Sequence, residues 1–106
     1  ENFMFFKRRK SFDEYVQEGK KDSKVIFLDV REEDEYASEH IIGSINCPLS
    51  RIETLDIDRS SELFVYCRSG ARSYKACKIL EKIGYNNVIN IGGIMDLKSK
   101  YLYINK

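Results

Sequence analysis

Short apolar runs alternate along this chain with amphipathic segments. The runs Val25 to Leu28 and Leu63 to Tyr66 contain no alternating polar positions, which predicts strands buried on both faces of a sheet, and Val88 to Ile91 is predicted to be another strand. Between the last two runs, apolar residues recur at helical spacing over residues 76–83. We therefore predict a small α/β domain in three layers, with a mostly parallel central sheet covered by helices on both faces.

Helix-start signals add two further elements. Ser11 begins a capping box, and the helix that follows is expected to end at Gly19. The acidic residues 32–35 open a second helix, where negative charge suits the helix dipole, and we expect Tyr36 and Ala37 to face inward.

Shorter elements are expected in the remaining segments. We predict a strand at residues 2–6, a short strand that Pro48 ends, one helical turn within 50–58, and a turn at Gly92 and Gly93 that leads into a last helical stretch at 95–97. The basic residues 7–10 are interpreted as a solvated turn, and the apolar segment before them is far too short to span a bilayer.

Composition and charge restrict the possible function. A chain of 106 residues can bury its own core, so we expect one domain over residues 1–106. The net charge of +1 provides no global field for binding nucleic acid, and no membrane partner is expected. Three cysteines with the single histidine His40 match no zinc signature, so no metal site is expected.

Cys67 is the residue most suited to chemistry, because it lies between a buried strand and a helix. Backbone N–H groups at a helix start point toward such a thiol and favour its anion. A helix N-terminus with flanking arginines, here Arg68 and Arg72, can lower a cysteine pKa from about 8.5 to roughly 3.5–7.5. We predict Cys67 to be a nucleophilic thiolate. A free nucleophilic thiol also favours a reducing, cytoplasmic compartment, although the start at Glu1 leaves a removed leader and export open.

The residues after Cys67 are suited to holding an anion. Gly70 permits a positive φ, and the hydroxyls of Ser69 and Ser73 can donate into the same concavity. Arg72 lies in the first helical turn, where a cation is unfavourable against the dipole unless an anion is also present. We therefore expect a bound sulfur or oxygen anion at this turn.

The other two cysteines are interpreted as packing residues. Cys47 precedes Pro48 at a strand end, and Cys77 lies on the apolar face of a helix.

Four blocks of the chain together resemble the single-domain rhodaneses, which are thiosulfate or thiol sulfurtransferases. The blocks are residues 28–32 with Glu35 and Tyr36, residues 40–46 with Pro48, residues 65–73, and residues 91–94. Two positions depart from the family pattern: Leu97 replaces an aromatic residue after the double glycine, and Ile42 replaces a proline before Gly43. Both departures concern packing rather than chemistry.

The resemblance implies a rhodanese-like fold and a persulfide on Cys67. It also implies that a small anionic donor such as thiosulfate is bound by the cysteine loop and by Arg31 beside it. The loop residues implied to bind the donor are Arg68, Ser69, Gly70, Ala71 and Arg72. Asp29 and Arg31 are implied to brace the strand ends through buried polar contacts. For His40, a structural role in a turn is favoured over a role as general base.

The expected reaction is a two-step sulfur transfer that needs no cofactor. Cys67 takes the outer sulfur of thiosulfate or of a persulfide donor, and a thiol, a protein persulfide acceptor or cyanide then removes it. Related phosphatases place the arginine six residues after the cysteine, whereas Arg72 is five residues after Cys67, and they have histidine at the position of Tyr66. A phosphatase or arsenate reductase is the runner-up, and a non-catalytic binding module is the third possibility.

Overall fold

Twelve short elements follow one another along residues 10–105, the part of the chain that the computed structural model describes. Six are strands, four are α-helices and two are 3-10 helices. In chain order they are α1 (Phe12–Lys20), β1 (Val25–Asp29), α2 (Glu33–Ser38), β2 (His40–Ile41), β3 (Ile45–Asn46), a 3-10 helix (Leu49–Thr54), β4 (Glu62–Cys67), α3 (Ala71–Lys82), β5 (Asn87–Gly93), a 3-10 helix (Ile94–Asp96), α4 (Lys100–Tyr103) and β6 (Ile104–Asn105). The strand expected at residues 2–6 lies outside the described residues.

The central sheet is parallel throughout, as the unbroken apolar runs predict. Its strand order is β3, β1, β4, β5, and β4 lies between β1 and β5. A separate antiparallel pair joins β2 to β6. Because the strands are parallel, their carboxyl ends share one edge, where ligand sites of open α/β sheets are found.

The two faces of the sheet bury two separate cores. On one face, Leu63 and Val65 pack with the inner side of α3 and the first 3-10 helix. On the other face, Phe64 and Tyr66 pack with α1, and Phe64 makes an edge-on contact with Phe27 at 5.8 Å between ring centroids. The period-two alternation along β4 sends successive side chains to opposite cores, which confirms the three-layer prediction.

The predicted starts of α1 and α2 agree with the structure, but the predicted burial of one face of α2 does not. Ser11 caps α1 through the expected reciprocal bonds with Glu14. The acidic residues do open α2, but the expectation that Ala37 faces inward is wrong because it is exposed, and Tyr36 is only half-buried. The physical reason is that α2 has six residues and lies at the rim of the sheet, where it buries no residue completely.

The double glycine belongs to β5 and not to a turn as expected. Gly92 pairs with Tyr66 and Gly93 with Cys67, so the strand continues to the end of β4. A Cβ atom on Gly93 would collide with the Arg68 carbonyl group and lie 2.5 Å from the Ser69 Cα. The glycine is needed there because the loop after Cys67 lies directly on the backbone of β5.

The elements β2, α4 and β6 were not predicted. They are two to four residues long, too short to show a hydrophobic period. None of the helices between residues 10 and 105 has the length and apolar character needed to cross a membrane.

Candidate active site

Cys67 is the last residue of β4, at the carboxyl edge of the sheet. Its residue surface is only 1% exposed, and a short loop separates it from the start of α3 at Ala71. Gly70 caps that helix with a φ of 108°, a left-handed conformation that glycine adopts without strain. The loop therefore turns sharply enough to bring the helix start back over the sulfur atom.

Backbone donors surround the Cys67 sulfur. The Gly70 N–H donates to Sγ at 3.0 Å and the Ser73 N–H at 3.4 Å, while the Ser73 Oγ lies 3.5 Å away. Burial alone would raise the pKa of Cys67. The hydroxyl and N–H of Ser73 and the N–H groups of Gly70 and Ser69 outweigh burial, so that the pKa lies below its usual value. The arrangement stabilises a thiolate.

The other two thiols have the opposite character. Burial raises the pKa of both Cys77, which is inside the core, and Cys47, whose Sγ donates to the Arg51 carbonyl at 3.5 Å. All three cysteines are free. Cys67 is thus the thiol that this fold activates.

The Arg72 side chain has an ion-pair partner that the sequence analysis missed. Its two terminal nitrogens contact the two carboxylate oxygens of Glu35, the N-terminal turn residue of α2, at 2.7 and 3.0 Å. The hydrogen bonds from Arg72 lower the pKa of Glu35 to about 2. The anion expected beside Arg72 from the helix-dipole argument is supplied by the protein itself. Arg72 still interacts electrostatically with Cys67.

Arg31 is paired as well and almost fully buried, at 4% exposure. Its Nε and Nη2 donate to both carboxylate oxygens of Asp29, and Nη2 also donates to the Glu39 carbonyl at 2.7 Å. Burial opposes the charge of Arg31, but the bonds to Asp29 raise its pKa. This ion pair braces the ends of β1, as the family resemblance implies.

A cleft of about 320 Å³ opens beside the cysteine loop. Three cations, two carboxylates and one exposed apolar side chain line it: Arg31, Arg68, Lys100, Glu35, Glu39 and Met95. The structure thus brings Arg31 and Arg68 together from segments distant in sequence. The side chains of Ser69 and Ala71 are exposed, and of these two residues Ser69 contributes its N–H to Cys67.

Comparison with known proteins identifies this architecture. The family model described as "Rhodanese-like domain" matches residues 12–100. The chain belongs to the rhodanese family. It is 40% identical over 75 residues to the thiosulfate sulfurtransferase PspE of Escherichia coli, an alignment that covers 67% of this chain and 72% of PspE.

Other rhodanese relatives agree with this assignment. A thiosulfate:glutathione sulfurtransferase of Saccharomyces cerevisiae is 34% identical over 93 residues, covering 74% of this chain and 67% of that protein. A solved structure titled "rhodanese with anions from E. coli" superimposes with a TM-score of 0.63 at 36% identity, covering 69% of this chain and 91% of that one. Some relatives are longer: the alignment covers 45% of one from Bacillus subtilis and 18% of one from Ogataea parapolymorpha.

His40 of this rhodanese domain has structural contacts. Its Nδ1 lies 2.8 Å from the Tyr36 carbonyl oxygen and its ring stacks on the Tyr36 ring at 3.8 Å. A carbonyl oxygen only accepts, so Nδ1 donates the proton. These contacts tie α2 to β2 and support the structural interpretation of His40.

No metal centre occurs among residues 10–105, because no three His, Cys, Asp or Glu side chains in that range are grouped to hold an ion. The site that the rhodanese fold assembles there is a cysteine sulfur with backbone donors beside a mixed-charge cleft.

Proposed function

We propose that this chain is a sulfurtransferase that holds the transferred sulfur as a persulfide on Cys67. One observation supports this most strongly: N–H groups of the loop converge on a cysteine sulfur that ends a buried strand. Donors fixed in this way stabilise a sulfur anion without reorganising during the reaction. The proposed substrates are an anionic sulfur donor such as thiosulfate and, as acceptor, a thiol, a protein thiol or persulfide, or cyanide.

The first step forms the persulfide. The Cys67 thiolate attacks the outer sulfur of thiosulfate, a new sulfur–sulfur bond forms, and the bond to the sulfite sulfur breaks with its electron pair leaving on sulfite. The cations Arg68, Arg31 and Arg72 lower the electrostatic cost of bringing an anion to the loop and of the charge that builds on sulfite. The attacking species is the thiolate, whose formation the lowered pKa of Cys67 favours.

The second step regenerates the enzyme. An acceptor thiolate or cyanide attacks the outer sulfur of the persulfide, and Cys67 departs as a thiolate. The same N–H groups that lower the pKa of Cys67 make it a better leaving group. Cys67 is thus the nucleophile of the first step and the leaving group of the second. We propose that both steps proceed in one domain, in a reducing compartment and without a cofactor.

Persulfide formation is directly measurable. After incubation with thiosulfate and removal of excess donor, mass spectrometry is expected to find one added sulfur atom on the peptide that contains Cys67. The peptides with Cys47 and Cys77 serve as internal controls and should be unmodified, because burial raises the pKa of both thiols. Cyanide should remove the sulfur as thiocyanate. An unmodified Cys67 peptide would contradict the proposal, and turnover of an aryl phosphate would instead support the phosphatase.

Arg72→Ala should weaken use of an anionic donor more than use of a neutral one. The substitution leaves the Glu35 carboxylate without its partner beside the cysteine loop, where it repels thiosulfate. We expect the KM for thiosulfate to rise about tenfold, equivalent to about 1.4 kcal/mol, with a smaller change for an uncharged sulfane-sulfur donor. Steady-state kinetics with both donors measures the difference.

Arg51→Ala is the matched control for this prediction. Arg51 forms an exposed ion pair with Glu33 of the same helix α2, at 3.0 Å, away from the cysteine loop. Its loss should leave both KM values unchanged. Equal effects of Arg72→Ala on the two donors would show that Arg72 does not act on the charge of the substrate.

A further inference from the structure

Asn90 is a buried polar side chain on a strand that is otherwise apolar at its centre. It is 1% exposed, between Ile89 and Ile91 of β5. A bulge lies next to it: Asn90 pairs with Val65 and Gly92 with the following residue of β4, so Ile91 is the extra residue. Bulges beside functional sites redirect side chains.

Both polar atoms of the Asn90 amide are hydrogen-bonded, to the cysteine loop, to Ser73 at the start of α3 and to the residue after the bulge. Its Nδ2 donates to the Gly70 carbonyl at 3.1 Å. Its Oδ1 accepts from the Ser73 hydroxyl at 2.7 Å and from the Gly92 N–H at 3.0 Å. Gly70 and Ser73 are two of the residues whose N–H groups donate to the Cys67 sulfur, so one side chain on β5 is hydrogen-bonded to both of these donor residues.

A buried amide is unfavourable unless its hydrogen bonds are made, and here they are made to the loop that surrounds the nucleophile. We propose that Asn90 is a positioning residue: by holding Gly70 and Ser73 from strand β5, it keeps their N–H groups directed at the Cys67 sulfur before any sulfur donor binds. The proposal rests on the proposed function in taking Cys67 as the nucleophile. It does not depend on the identity of donor or acceptor.

The Ser73 hydroxyl links Asn90 to the ionisation of Cys67. It has one proton, and the oxygen of Asn90 at 2.7 Å is a nearer acceptor than the sulfur at 3.5 Å. When Cys67 ionises, the sulfur becomes a charged acceptor that competes for this proton. The Gly70 carbonyl, at 3.1 Å, is a third acceptor for this proton. We therefore expect the hydrogen bonding of Asn90 to change with the charge on Cys67. Among the ionisable groups of residues 10–105, Arg72 and Cys77, both on α3, also interact electrostatically with this sulfur.

The first test is a pH titration of the Cys67 thiolate, followed by its ultraviolet absorbance as the difference from Cys67→Ser. Asn90→Ser is neutral and too short to reach the Gly70 carbonyl. Because the Gly70 and Ser73 N–H groups would then be less well directed at the sulfur, the midpoint of Cys67 ionisation should rise by about one pH unit. Asn87→Ser makes the same change at an exposed position of the same strand and should leave the midpoint unmoved. A folded Asn90→Ser protein with the midpoint of the unsubstituted chain overturns the proposal.

A second measurement needs no substitution at Asn90. In the unsubstituted protein, the side-chain amide NMR resonances of Asn90 should shift with the same pH midpoint as the Cys67 thiolate, and this shift should disappear in Cys67→Ala. The side-chain amide of Asn87 should not respond. Asn90 resonances that stay constant through the midpoint overturn the proposal even where Asn90→Ser does not fold. Neither readout requires turnover, so failure of the proposed sulfur transfer would be seen separately, in the persulfide assay.

Discussion

Replacing Cys67 with serine is expected to reduce sulfur transfer to the uncatalysed background. A serine hydroxyl stays protonated at neutral pH, attacks sulfur poorly, and cannot form the persulfide that both steps require. The fold should survive, because the smaller oxygen can accept hydrogen bonds from the same Gly70 and Ser73 N–H groups. The loss should therefore appear in kcat, with the thermal unfolding midpoint little changed.

Thiocyanate production from thiosulfate and cyanide measures this effect. Cys47→Ser is the matched control, since it makes the same exchange at a buried thiol whose Sγ donates to the Arg51 carbonyl, and it should retain full activity. Substantial thiocyanate production by Cys67→Ser would show that another group accepts the sulfur. Loss of activity in both variants would point to a general requirement for thiols, not to a specific nucleophile.

The fold was largely predictable from local pattern. The three predicted strands became β1, β4 and β5, and the lack of alternation in the first two correctly indicated a parallel sheet covered on both faces. The predictions that failed concern positions where tertiary contact overrides the pattern. Ala37 looked like an inward helix residue, but α2 lies at the rim of the sheet, and Gly93 looked like a turn residue, but the loop packs on it.

From the local pattern, the candidate site was predictable only where its residues are neighbours in sequence, whereas Arg31 was expected from the family resemblance. Cys67 and its loop form one continuous segment, so the strand end, the glycine and the helix start could be recognised together. Glu35 and Asn90 reach the loop from α2 and β5, and no spacing rule connects them to Cys67. A signal for Asn90 was present, since an asparagine inside an apolar strand must be hydrogen-bonded to something. For Glu35 the signal was Arg72, whose position at a helix start requires a nearby anion.

Asp29→Ala is expected to destabilise the protein by about 3–5 kcal/mol, a large fraction of the stability of a domain of this size. Asp29 is fully buried and accepts hydrogen bonds from the backbone N–H, Nε and Nη2 of Arg31. Removing the carboxylate leaves the Arg31 charge buried without its counter-ion. Urea unfolding should show the loss as a lower midpoint. Asp56→Ala, which removes an exposed partner of Arg59, should cost no more than about 1 kcal/mol.

The double variant Asp29→Ala/Arg31→Met separates the structural role of Arg31 from a role in binding the donor. Removing both charges eliminates the unpaired cation, so much of the lost stability should return. Arg31 also lines the cleft beside Arg68, where it would contribute to holding an anion. If Arg31 helps to bind the donor, the folded double variant should still show a KM for thiosulfate raised severalfold, with kcat less affected. A KM equal to that of the unsubstituted protein would assign Arg31 to the fold alone and leave the binding of the anion to Arg68, Arg72 and the loop N–H groups.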